Sequence, residues 1–179
     1  TIMVFPNKSS QRMFIKEFRQ KKIKYQKHPK TISINDLIFS ITQLNIASSL
    51  LIQNELYKSY VKVSNEKKDN YENFLSWSTT LIEDFNKIDQ NLLSHSDFFS
   101  YLSSLHKLRS TFEEENSIIK RYDKFWSNLS EVYASFSNAL TKRKLSTKGI
   151  CYRAATKKVD NYKNEHKKKS FVFCGFKFC

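Results

Sequence analysis

Thr1-Ile2-Met3-Val4-Phe5-Pro6-Asn7-Lys8-Ser9-Ser10-Gln11-Arg12-Met13-Phe14 is the stretch on which the architecture turns. Residues 1–5 form a short apolar run with no polar face, the pattern of a strand in a parallel sheet covered on both sides. The run stops at Pro6, which has no amide to continue a ladder. Asn7, Lys8, Ser9 and Ser10 then make a polar loop, and Ser9 or Ser10 is expected to cap a helix. That helix has Met13, Phe14 and Phe18 on its apolar side and cations on the other. At the far end, Ser170-Phe171-Val172-Phe173-Cys174-Gly175-Phe176 has the same character and reads as a second buried strand. Two such strands separated by a long helical block imply an α/β sheet interrupted by an insertion, with most of the sheet outside this chain.

The block between them is read from its periodicity. Ser33 followed by Asp36 suits a capping box for a short helix through Leu37, Ile38, Ile41 and Leu44. A second helix is expected over residues 47–63, with Leu51, Tyr57, Tyr60 and Val61 among its apolar side chains. Asn70 is expected to cap a third, in which Phe74, Trp77, Leu81, Phe85 and Ile88 recur every three or four residues while Glu83 lies opposite. Residues 97–108 continue with Phe98, Phe99, Leu102 and Leu105, and Glu113, Glu114 and Glu115 suit the negative start of a further helix. Ile119, Tyr122, Trp126, Leu129, Tyr133, Phe136 and Leu140 keep the same spacing, and so aromatic a stripe fits a globular bundle better than a two-stranded zipper. Both tryptophans therefore read as core. A basic stretch at 142–144 leads to a last helix near 149–160, and no internal repeat is visible.

Composition agrees with helix. With 15 Phe and 9 Tyr but only two Gly and two Pro in 179 residues, turn-rich β architecture is disfavoured, and 40% apolar content can supply a core. The net charge of +14 is unevenly spread. Residues 1–30 carry nine basic and one acidic side chain, 31–64 two of each, 65–139 eight basic and twelve acidic, and 140–179 twelve basic and two acidic. Compositional drift would spread lysine evenly, so two basic ends around an acidic middle suggest one surface suited to phosphate backbones. The alternative is a lysine-rich surface that is merely solvated.

Several functions are disfavoured. Cys151, Cys174 and Cys179 lack the paired spacing of a zinc site and read as thiols in a reducing cytoplasm. No signal peptide or membrane-spanning run is visible, so a soluble cytoplasmic protein is expected. The missing initiator Met and the stop after an apolar run are read as the ends of a fragment. A Gly-x-x-x-x-Gly-Lys-Ser/Thr phosphate loop is absent, and Gly149 and Gly175 could not hide one. Glu83, Asp84 and Asp89 are spread around a helix and read as a solvated face. His28, His95, His106 and His166 have no nucleophile or ligand pattern and read as structural or surface residues. No catalytic, metal-binding or cofactor-binding residue is expected, and a stand-alone enzyme lacks any constellation.

Val4-Phe5-Pro6-Asn7-Lys8-Ser9-Ser10-Gln11-Arg12-Met13 resembles the strand, loop and helix of UvrD-like helicases, in which a strand ends in a Thr-Asn-Lys-Ala-Ala type loop. The whole chain is similar to the amino-terminal part of the AddB-like (UvrD/RecB-like) proteins of Bacteroidetes-type bacteria, which fuse a helicase-like region to a PD-(D/E)XK nuclease. The likeness also rests on Thr31-Ile32-Ser33-Ile34-Asn35-Asp36, on the stretch from Trp77 through Asp84-Phe85 to Ile88-Asp89, and on Phe171-Val172-Phe173-Cys174-Gly175-Phe176. It departs at Ser78, where the family usually has Gly, and in having fewer residues between Trp126 and Tyr133. A working helicase would carry Asp-Glu after the last strand to hold magnesium, and Gly175-Phe176 stands there instead.

The resemblance implies a piece of a RecA-like parallel sheet, with strands near 1–5 and 170–176, and a large inserted helical subdomain. Residues 1–30 would begin the helicase-like core, 31–145 would be the insertion, and 146–179 would return to the core. It further implies an ATPase-inactive, DNA-binding region of a double-strand-break repair helicase and exonuclease, acting with a partner ATPase subunit. Asn7, Lys8, Ser9, Ser10 and Arg12 would contact the backbone of single-stranded DNA. The competing expectation is an all-helical basic module that binds a protein or nucleic acid, its apolar ends packed on the bundle. Parallel pairing of residues 1–5 with 171–175 separates the two.

Overall fold

The structure, a computed structural model, describes residues 1–21, 29–64, 70–110 and 117–177, with the backbone alone at 106–110, 117–124 and 127. The expected helix start at Glu113, Glu114 and Glu115 and the side chains of His28, His106, Ile119, Tyr122 and Cys179 lie outside the described residues. In chain order the elements are β1 (Ile2–Phe5), α1 (Lys8–Gln20), β2 (Lys30–Ser33), α2 (Ile34–Thr42), β3 (Asn45–Ile46), α3 (Ser49–Ser64), α4 (Tyr71–Gln90), α5 (His95–Ser110), α6 (Ser117–Lys142), β4 (Leu145–Ser146), α7 (Lys148–Glu165) and β5 (Phe171–Phe173). The protein is thus a predominantly helical α/β chain with a small parallel sheet. No helix among the described residues is long and apolar enough to cross a membrane.

The chain divides into two compact units, one of residues 1–43 with 154–179 and one of residues 44–153. The first holds a three-stranded sheet in the order β2-β1-β5. Both pairings are parallel, Val4 facing Ile32 on one side and Phe173 on the other. Val4 is fully buried and Ile2 and Phe5 nearly so, as the apolar run predicts for a central strand. β5 departs from its reading as a buried strand. It lies at the edge of the sheet among the described residues, with Val172 43% and Phe173 50% exposed. β2 was not foreseen because Lys30-Thr31-Ile32-Ser33 is neither continuously apolar nor alternating.

Two helix starts in this unit show how the local sequence works. α1 begins two to three residues earlier than expected, so Lys8, Ser9 and Ser10 lie in its first turn and Asn7, not Ser9 or Ser10, is its cap, with Oδ1 accepting from the Ser10 amide at 2.8 Å. Met13 is 65% exposed, so the packing side of α1 reduces to Phe14, whose ring lies 5.1 Å from Phe5, and Phe18, 5.7 Å from Phe14. α2 starts with the expected capping box: the Ser33 hydroxyl accepts from the Asp36 amide while the Asp36 carboxylate accepts from the Ser33 amide. Such a box contributes on the order of 1 kcal/mol.

The second unit is a helical bundle. Phe74, Phe85, Leu129, Phe136 and Leu140 are fully buried at its centre, and Trp77, Leu81 and Trp126 pack half-buried around them. Aromatic rings meet edge-on: Phe74 with Trp77 at 4.8 Å, Phe85 with Tyr133 at 5.0 Å. Asn70 occupies the cap position of α4 but makes no side-chain capping bond. β3 and β4 join the incoming and outgoing segments of the bundle in a two-residue parallel pair.

Candidate nucleic-acid interface

The five expected contact residues lie together at the C-terminal end of β1. Asn7 has its side-chain carbonyl committed to the first turn of α1. Lys8, Ser9 and Arg12 are exposed and Ser10 is half-buried. Lys8 Nζ lies 3.8 Å from Asp36 Oδ1, where the loop after β1 meets the start of α2. Hydrogen bonds from Ser33, its hydroxyl first, hold the Asp36 carboxyl below its ordinary value, with Lys8 helping and burial opposing. Both groups are largely exposed, so this ion pair constrains Lys8 only weakly and leaves it available to a phosphate.

Lys8, Arg12, Lys16 and Arg19 follow at spacings of four, four and three, so they share one face of α1, and all four are exposed. Neighbours on such a face stand about 5–6 Å apart, measured between Cβ atoms. On the opposite side Gln11 donates to the Thr31 carbonyl at 2.8 Å and to its hydroxyl at 3.1 Å, which ties α1 to β2 and orients the basic face outward. Exposed Lys157, Lys163, Lys167, Lys168, Lys169 and Lys177 come from the carboxyl-terminal part of the same unit.

The division into units sorts the charge. Residues 1–43 and 154–179 hold 16 basic and four acidic side chains, which is +12 of the chain's +14, whereas residues 44–153 hold 15 basic and 13 acidic. The β1–β5 pairing is what brings the two basic ends of the sequence into one folded body.

The bundle contains a second polar constellation that the sequence reading missed. Asp89, expected on a solvated face with Glu83 and Asp84, is fully buried, while the other two are exposed. The Tyr133 hydroxyl donates to it, 2.8 Å from Oδ1 and 3.0 Å from Oδ2, and Arg153 Nε donates to Oδ1 at 2.6 Å. Arg153 Nη2 also donates to the Ile88 and Leu93 carbonyls at 3.0 and 2.6 Å. His95 stacks on the Tyr133 ring at 3.7 Å, its Nε2 3.0 Å from Oδ1 but outside hydrogen-bond geometry. Burial, and then the Asp89 charge, push the Tyr133 phenol well above its ordinary pKa, so it stays a donor.

Helical spacing held the signal for Asp89. Phe74 and Ser78, like Phe85 and Asp89, are four apart, so both polar residues fall under buried rings. Gly149 explains how α7 comes close enough for Arg153 to reach. A Cβ there would stand 2.7 Å from Asp89 Cβ and 2.8 Å from Asn86 Cα, and the Gly149 amide donates to Asn86 Oδ1 at 2.7 Å. This largely buried network ties the end of α4 to α5, α6 and α7. No group of three His, Cys, Asp or Glu side chains among the described residues could hold a metal ion. Compared with protein-family models, curated proteins and solved structures, the chain matches none.

Proposed function

We propose that this chain is a DNA-binding, ATPase-inactive, helicase-like region of a subunit that processes double-strand breaks by coupling helicase and PD-(D/E)XK exonuclease activities. One observation carries the reading: a parallel sheet gathers both basic ends of the sequence into one unit bearing +12, with a line of cations along α1. The direct parallel pairing of β1 with β5 favours it over an all-helical module with its ends packed on the bundle. In this proposal the three strands belong to a RecA-like sheet, the bundle is its insertion, and the protein works in the cytoplasm beside a partner ATPase. Single-stranded DNA is held by Lys8, Arg12 and the start of α1 at Asn7, Ser9 and Ser10, without sequence preference.

A salt titration tests it. Each phosphate-contacting cation removed should flatten the slope of log affinity against log salt by roughly 0.7. Lys8→Ala should therefore weaken binding about equally for all sequences. Lys87→Ala, which removes an exposed cation paired with Asp84 in the bundle, should leave the slope alone. An absence of DNA binding at low salt, or equal losses from the two substitutions, refutes the reading.

A further inference from the structure

The last strand exposes aromatic surface that a folded chain would ordinarily bury. Phe173 ends β5 half-exposed, and Phe176 turns back on it with ring centroids 5.7 Å apart at 68°. The turn depends on Gly175, whose φ of +75° is a left-handed conformation that side chains resist. It also sits directly against the phosphate-facing loop. The Cys174 amide donates to the Val4 carbonyl at 2.9 Å, and a Cβ at Gly175 would stand 3.9 Å from Pro6 Cδ, one residue before Asn7 and two before Lys8.

We infer that Phe173 and Phe176 form a stacking shelf for unpaired nucleic-acid bases, an inference that rests on the nucleic-acid reading above. Apolar rings in a unit of +12 charge invite an anionic partner that also carries flat apolar faces, and a single strand has both. Gly175, between the two rings in sequence, lies against Pro6, two residues before Lys8, and Lys177 directly follows Phe176, so a backbone held by these cations would bring its bases toward the rings. A duplex keeps its bases stacked on one another, so the shelf selects single strands. Every base has a π face, so it does so without reading sequence.

The experiment compares the 179-residue chain on an oligothymidylate and on the same backbone with abasic sites, across salt concentrations. The oligothymidylate should bind about tenfold more tightly, the range expected for one stacked base. Phe173→Ala and the bulk-preserving Phe173→Leu should both abolish that difference and leave the salt slope unchanged, while Lys8→Ala should flatten the slope and keep the difference. Because Phe173 is half-exposed, an unchanged thermal midpoint will verify that the variants fold. Equal binding of both oligonucleotides by the unaltered chain, or a difference that survives in both Phe173 variants, overturns the shelf while leaving phosphate binding intact. Failure to bind either oligonucleotide at low salt overturns both.

Discussion

The two units of this chain are stabilised in opposite ways. The bundle, residues 44–153, has among the described residues a core of twelve buried apolar side chains, five of them aromatic, and nearly balanced charge. Among the described residues the sheet unit buries little apolar surface beyond Ile2, Val4, Phe5, Leu37, Ile38 and Ala155, and it carries +12. A concentration of like charge opposes compaction, and here it lies outside the unit that supplies most of the packing. Most of the packing and most of the net charge thus fall in different units of the same chain.

Four substitutions probe that division, in decreasing order of expected effect. Arg153→Ala leaves the Asp89 carboxylate buried without its cation and should cost about 3–5 kcal/mol. Urea unfolding followed by tryptophan fluorescence reports on it, since both tryptophans lie in the bundle; a loss below about 1 kcal/mol would mean that the network is incidental to the core. Gly149→Ala forces a methyl into contacts under 3.0 Å with α4 and should cost about 1–3 kcal/mol in the same measurement.

Asp36→Asn addresses the sheet unit. The folded pKa of Asp36 lies below its ordinary 3.8, so its contribution is complete above that value and disappears as pH falls through the folded one. The variant should lose about 1 kcal/mol at neutral pH and show a shallower decline on acidification below about pH 4, read as thermal midpoint against pH. Leu92→Gly is the smallest and of opposite sign. Leu92 has φ of 56° just past the end of α4, and its side chain is half-exposed, so glycine should stabilise the bundle by about 0.5–1 kcal/mol in denaturant midpoint with the slope unchanged.

The same contrast governs what could be read from sequence. Bundle helices were legible because buried residues recur with the period of the helix, and Phe74, Phe85, Leu129, Tyr133, Phe136 and Leu140 all lie where that period puts them. β1 was legible for the same reason, as an unbroken apolar run. Asp89 was not, because a carboxylate on an apolar stripe has a meaning only once Tyr133 and Arg153, far away in the sequence, are seen to close on it. β2, β3 and β4 were invisible, being too short or too polar to show a period, and their strand character comes from their partners. The strand-to-helix turn after Pro6 was anticipated, but Lys8, Ser9 and Ser10 belong to the first turn of α1 and not to a loop, and the cap was assigned to the serines because a shift of two or three residues in a helix start lies below what composition resolves.

Val4 pairs with Phe173, so the central strand of the sheet acquires its last neighbour only when the final helix has been made. On a ribosome adding roughly 5–20 residues per second, β1 waits on the order of ten to thirty seconds with the backbone N–H and C=O groups of one edge unpaired by β5. The described core of the bundle is drawn from within residues 44–153, so it can close during that interval. Among the described strands, β1 is therefore made before the others and is among the last to be fully paired.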